Sequence, residues 1–182
     1  MKRRHFLKAG LWLAAGLVVS RLTYGPFDPP PEHATGPYPY AFLTGKDLAL
    51  FAALIPVVLA GTRAAGDAAA RDRLLQALDQ ALALPAPEPQ DEWRNLIRLL
   101  EFPPARRLLA GVGPHWHEAE PTDIASFLTR WRDSRFGVLN LGYAGLVGII
   151  KGAWYGLPEA FEEIGYPGPP PYAVQALFGE AR

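Results

Sequence analysis

Between residues 44 and 165 the apolar positions recur at intervals of three and four, and no alternating run is long enough to build a sheet. The spacing predicts an all-α chain folded as a compact bundle of five to seven short helices. Thr44 stands three residues ahead of Asp47, the spacing at which two side chains cap a helix start reciprocally. A helix from Gly45 to Leu59 follows, with Leu48, Phe51, Ala52 and Ile55 on one side and Pro56 expected to kink or restart it. Gly61 and Gly66 bracket a connection. Farther on, Leu74, Leu75, Leu78 and Leu82 form an apolar stripe, while Arg71, Asp72, Gln76 and Asp79 are assigned to the water side. Pro85, Pro87 and Pro89 break the chain before a helix opened by Asp91 and Glu92, in which Trp93, Leu96, Ile97 and Leu100 recur. Pro103 and Pro104 end it and start a short helix closed by Gly111. Thr122 caps a helix carrying Ile124, Phe127, Leu128 and Trp131, and Pro158 opens a last short helix that Gly165 stops.

The run from Phe136 to Tyr155 is the most apolar part of this body and predicts the central helix of the bundle. Gly142, Gly145, Gly148 and Gly152 recur on it at intervals of three and four, a nearly side-chain-free groove against which another helix can lie closely. Leu78, Trp93, Phe127 and Trp131 are expected to be buried around it. A membrane span is the competing reading. Asn140 near one end, Lys151 near the other and an apolar run well short of the roughly 20 residues a spanning helix needs argue against it.

Proline frames the helical body on both sides. From Tyr24 to Tyr40 six prolines and two glycines preclude a helix, leaving an extended strap that carries Tyr24, Phe27, Tyr38 and Tyr40. At the other end Tyr166 and Tyr172 flank a stiff rod made of Pro167, Gly168, Pro169, Pro170 and Pro171. Aromatic side chains on a proline-stiffened backbone bury large area at low ordering cost, which is what a binding surface needs. The candidate partner-binding residues are therefore Trp154, Tyr155, Phe161, Tyr166, Pro167, Pro169 and Tyr172, together with Tyr38 and Tyr40 of the strap.

Charge divides the chain into a basic start and an acidic remainder. Lys2, Arg3, Arg4, Lys8 and Arg21 lie in the first 22 residues with no acidic partner, whereas the rest carries 13 basic and 18 acidic side chains. An acidic body argues against nucleic acid as a ligand, since phosphate binding needs a concentrated basic face. The basic start precedes an apolar run from Ala9 to Val19, the layout of an export signal. Arg3 and Arg4, followed by Phe6, Leu7 and Lys8, resemble the twin-arginine motif, which routes folded proteins through the twin-arginine translocase. The chain thus divides into residues 1–23, a leader or N-terminal anchor; 24–43, the strap; 44–165, the helical domain; and 166–182, the tail.

Candidate chemistry is sparse. The absence of cysteine removes disulfides, a thiol nucleophile and the attachment motif of c-type haem. No serine lies in a nucleophile elbow, and no glycine-rich loop has phosphate-binding order. His115, His117 and Glu118 are the only dense set of metal-capable residues, and they define the alternative reading, a small periplasmic metal-binding or hydrolytic protein. The leading reading is a chain that is not an enzyme by itself and binds no cofactor.

The stretch from Gly152 through Trp154, Tyr155 and Gly156, then Pro158 to Phe161, and Ile164 through Gly165, Tyr166, Pro167 and Gly168 to Pro169, resembles the closing motif of the gluconate 2-dehydrogenase subunit 3 family. Leu54, Ile55 and Pro56 are similar to an early helix-to-proline feature of that family, and Phe161 stands where a tryptophan is common. The resemblance covers most of Asp47 to Pro170. It implies a non-catalytic small subunit bound to a flavoprotein dehydrogenase of the glucose–methanol–choline type, which holds FAD. In that family the small subunit supplies the export signal and supports folding and twin-arginine export of the large one. A cytochrome c subunit with haem commonly receives the electrons. The implied location is the periplasm, or the periplasmic face of the inner membrane, of a Gram-negative bacterium.

Overall fold

The computed structural model describes residues 38–113 and 115–170. Among them the chain is all-α, with no strand. Helix α1 spans Gly45–Val58, α2 Arg63–Gly66, α3 Ala68–Ala83, α4 Pro87–Glu101 and α5 Pro103–Ala105. A π turn at Arg106–Ala110 and a 3₁₀ turn at Trp116–Glu118 lead to α6, Pro121–Arg132, then α7, Gly137–Tyr155, and α8, Pro158–Glu163. Two of the eight helices, α2 and α5, are single turns, which is why the described residues hold one helix more than the sequence spacing suggests.

Proline placement explains most of the boundaries. Helix α4 starts at Pro87, ahead of the acidic pair that the sequence pattern puts first, because a first-turn position has no helical partner for its amide in any case. Helix α1 continues through Pro56 and ends two residues later. Gly165 takes φ +68° just past α8, and the Tyr166 amide then donates to the Phe161 carbonyl at 2.8 Å, closing the helix in a left-handed turn.

The centre of the bundle is α1, and this corrects the expectation for the glycine-rich helix. Leu48, Leu50, Phe51, Leu54 and Ile55 are all at most 1% exposed. Helix α1 touches α2, α3, α4, α6, α7 and the 3₁₀ turn. Helix α7 packs on α3, α6, α1 and α8 through one stripe, Gly142, Leu146, Ile150 and Trp154, and leaves its other side open. The glycines do not form a helix-helix groove. The ring of Trp131 occupies the space beside Gly142, where a Cβ would lie 2.5 Å from it, and Trp93 reaches Gly145, while nothing lies within 4 Å of a Cβ at Gly148 or Gly152. Leu78, Phe127 and Trp131 are buried as expected, but Trp93 is half-buried because its ring forms the wall of an open groove.

Aromatic side chains tie the remaining layer together. Phe127 meets Trp131 edge-on at 4.8 Å between ring centroids, and Trp116 lies 6.0 Å from Phe127. Each indole finds an acceptor: Trp116 Nε1 donates to the Leu100 carbonyl and Trp131 Nε1 to the Leu109 carbonyl, both at 3.1 Å. No helix among the described residues is long and apolar enough to cross a membrane.

Candidate functional site

The C-terminal aromatic segment is held by α8. Two acidic residues one helical turn apart anchor it: Glu159 pairs with Arg73 of α3, and Glu163 accepts the Arg63 amide of α2 at 2.9 Å. This fixes the backbone on which Ile164 and Tyr166 stand, 61% and 44% exposed. Tyr166 leans edge-on against Phe161, 5.3 Å between centroids, so its ring is braced while one face stays open. Tyr155 at the end of α7 is 45% exposed, and Pro167 and Pro169 are exposed. Trp154 is different. It is fully buried in the core, so no partner can touch it without opening α7, and it leaves the candidate binding set.

The end of the strap is fixed by charge. Asp79 accepts three consecutive backbone amides, from Ala41 at 2.9 Å, Phe42 at 2.8 Å and Leu43 at 2.7 Å. The carboxylate is 1% exposed, so these charge-assisted bonds replace its water. The expectation that Asp79 faces water is therefore overturned. The available signal was its place one helical turn after Leu75, on the buried side of α3. Tyr38 and Tyr40 pack edge-on at 4.8 Å, the Tyr38 hydroxyl accepts from Gln80, and burial followed by the charges of Asp72 and Asp79 raises the Tyr40 hydroxyl pKa.

A third polar cluster was invisible to the spacing argument. Asp47, 1% exposed in the first turn of α1, accepts the Thr44 amide at 2.7 Å and the Arg94 guanidinium at 2.8 Å. Arg94 also donates to the Phe42 carbonyl and lies 4.0 Å over the Phe42 ring. Glu101, from the far end of α4, completes the cluster. Burial, then its hydrogen bond to Asp47 and the Asp47 charge, push the Glu101 carboxyl up to about 8, against the opposing pull of Lys46 and Arg94. Glu101 thus keeps its proton at neutral pH, beside the Asp47 side chain. Because Asp47 is sealed and already engaged by an amide and a guanidinium, the cluster clamps α1 to α4.

The metal-capable residues stay at the surface. The rings of His115 and His117 stack at 5.2 Å, and His117 Nε2 lies 3.6 Å from Glu118. Among the described residues no group of three or more such side chains is placed to hold an ion.

Between α4 and α7 lies an open groove of about 370 Å³. Trp93 and Leu96 line one wall, Val138, Leu141 and Gly145 the other, and Glu92 stands at the rim. Val138 and Leu141 are 73% and 74% exposed, more than Tyr155, Ile164 or Tyr166. Both belong to the helix that the sequence reads as central, and only their uncovered side reveals a surface.

Arg3, Arg4, Phe6, Leu7, Lys8 and Tyr172 lie outside the described residues, as does the strap before Tyr38. No protein-family model, curated protein or solved structure matches this chain.

Proposed function

We propose that this protein is a non-catalytic accessory subunit that binds a larger FAD-containing dehydrogenase of the glucose–methanol–choline type and supports its folding and twin-arginine export. The supporting observation is the braced and exposed group formed by Tyr155, Ile164 and Tyr166 on a backbone that two carboxylates of α8 fix in place. A patch that is both apolar and rigid gains affinity because little conformational freedom is lost on binding. The twin-arginine pattern at Arg3 and Arg4 supplies the export half of the reading, and the resemblance of the segment from Gly152 to Pro169 to the small-subunit family supplies the partner class. A cytochrome subunit with haem belongs to the same proposal as the acceptor of the partner's electrons.

The test is co-expression with a FAD-containing dehydrogenase of that type. Deleting residues 166–172 removes Tyr166 without removing any helix among the described residues, so the fold should persist while the exported flavoprotein falls at least tenfold. Undiminished co-purification of the truncated chain would move the interface elsewhere. Replacing Arg3 and Arg4 with Lys should hold the complex in the cytoplasm, and unchanged export would reject the route.

A further inference from the structure

The exposed side of α7 is regular. Val138, Leu141, Gly145, Gly148, Gly152 and Tyr155 follow one another at intervals of three and four, and every one is exposed except Gly145, which is partly covered by Trp93. That is the spacing with which one helix presents a seam to another. At its Val138 end this seam opens into the α4–α7 groove, where the half-buried indole of Trp93 forms a wall that no side chain fills. Glu92 stands at the rim, and Glu88 lies one turn before it on α4 with Asp91 between them; all three are exposed.

We propose that this groove is the docking site of the chain's own N-terminal segment, Lys2 to Val19. Four features select that occupant. Its apolar run, Ala9 to Val19, is 11 residues long, the length of the α7 seam from Val138 to Gly148. Gly10, Ala14, Ala15 and Gly16 are small, which suits approach to a seam whose own residues include two glycines. Lys2, Arg3, Arg4 and Lys8 carry the charge opposite to that of Glu88, Asp91 and Glu92 at the start of α4. The 18 residues that join the segment to Tyr38 would reach about 56 Å as an extended proline-rich strand, more than the width of a domain this size, so any face is within range. The tail beyond Pro170 has the apolar residues but only one basic side chain, Arg182, offset by Glu180, and lacks that charge match. Docking would cover the twin arginines with the protein's own surface until a competing partner releases them. It requires only the charge and length of the segment, and its test does not depend on the accessory-subunit reading.

The full chain, purified from a host without the twin-arginine translocase, is labelled by Leu141→benzoylphenylalanine and irradiated. The expected product is an intrachain cross-link to residues 1–22, unchanged on tenfold dilution. The same probe at Leu84, 84% exposed and outside the groove, should give no such link. Glu88→Lys with Glu92→Lys should lower the yield at least threefold, and adding Arg3→Glu, Arg4→Glu and Lys8→Glu to that variant should restore it. Cross-links to residues 171–182, a dimer that dilution abolishes, or no protein cross-link would each overturn the proposal. Export of the flavoprotein is read separately, so either idea can fail without the other.

Discussion

Helices α1 and α7 are comparably apolar, and each carries a potential defect, a proline in α1 and a row of glycines in α7. Yet α1 is largely enclosed, with Leu50, Phe51, Leu54 and Ile55 wholly buried, while Val138 and Leu141 of α7 remain about three-quarters exposed. The difference lies in what surrounds them. Six elements converge on α1, and its start is clamped by Asp47, Arg94 and the strap end that Asp79 holds. Helix α7 is met on one side only. An apolar helix is thus a core when its neighbours close around it, and a surface in search of a partner when they do not.

The widest gap between the two should appear on truncation. Phe51→Ala removes a fully buried ring and should cost about 3–5 kcal/mol in chemical denaturation of the full chain. Leu141→Ala should cost far less, about 1 kcal/mol or below, because no helix of the body encloses that side chain and only a docked N-terminal segment would cover it. A loss as large as that at Phe51 would mean that Leu141 is enclosed by the helical body itself. The clamp ranks next. Asp79→Ala strands three buried amides and should cost about 1–3 kcal/mol, whereas Asp72→Ala on the neighbouring exposed face should be close to neutral.

The glycines of α7 offer a sharper contrast within one helix. Gly142→Ala drives a methyl into the Trp131 ring, whose indole is tied to Leu109, and should destabilise by about 1–3 kcal/mol. Gly148→Ala meets nothing and should stabilise by up to about 1 kcal/mol through helix propensity. Equal effects at the two positions would erase the distinction between the covered and open sides.

A further contrast concerns pH at the start of α1. Glu101 binds its proton up to about pH 8 in the folded chain, whereas an unfolded glutamate releases it near 4.5. The unfolded state therefore loses the proton first as pH rises, so this group's contribution is complete below 4.5, declines between 4.5 and about 8, and is flat above. Glu101→Gln keeps a donor toward Asp47 without titrating. The melting temperature of the native chain should fall more than that of the variant between pH 5 and pH 8.5, and parallel curves would place the titrating group elsewhere.

Much of the candidate site was legible. Tyr155, Phe161 and Tyr166 could be picked out because aromatic density on a proline-rich backbone is a local property of the sequence. Trp154 could not be separated from Tyr155, its neighbour, since adjacent helical positions point about 100° apart and only the packing of α7 says which faces inward. Asp79 was misassigned for a related reason. A carboxylate on a helix reads as solvated unless three amides from a segment 36 to 38 residues earlier arrive to satisfy it. The groove beside Trp93 needed two helices, α4 and α7, to diverge, and no single segment encodes that.

By itself the sequence determined that the chain is helical and where most helices begin and end, because the 3.6-residue period, the Thr44–Asp47 cap, the first-turn prolines and the stop at Gly165 act within a few residues of one another. Only the tertiary structure decided that α1 is the centre, that α7 keeps an open seam, and that Asp47, Asp79 and Glu101 are drawn into polar clusters. Burial is a relation between segments far apart in the chain. Hydropathy can say that a surface is apolar, but what lies opposite that surface is fixed only when the helices pack.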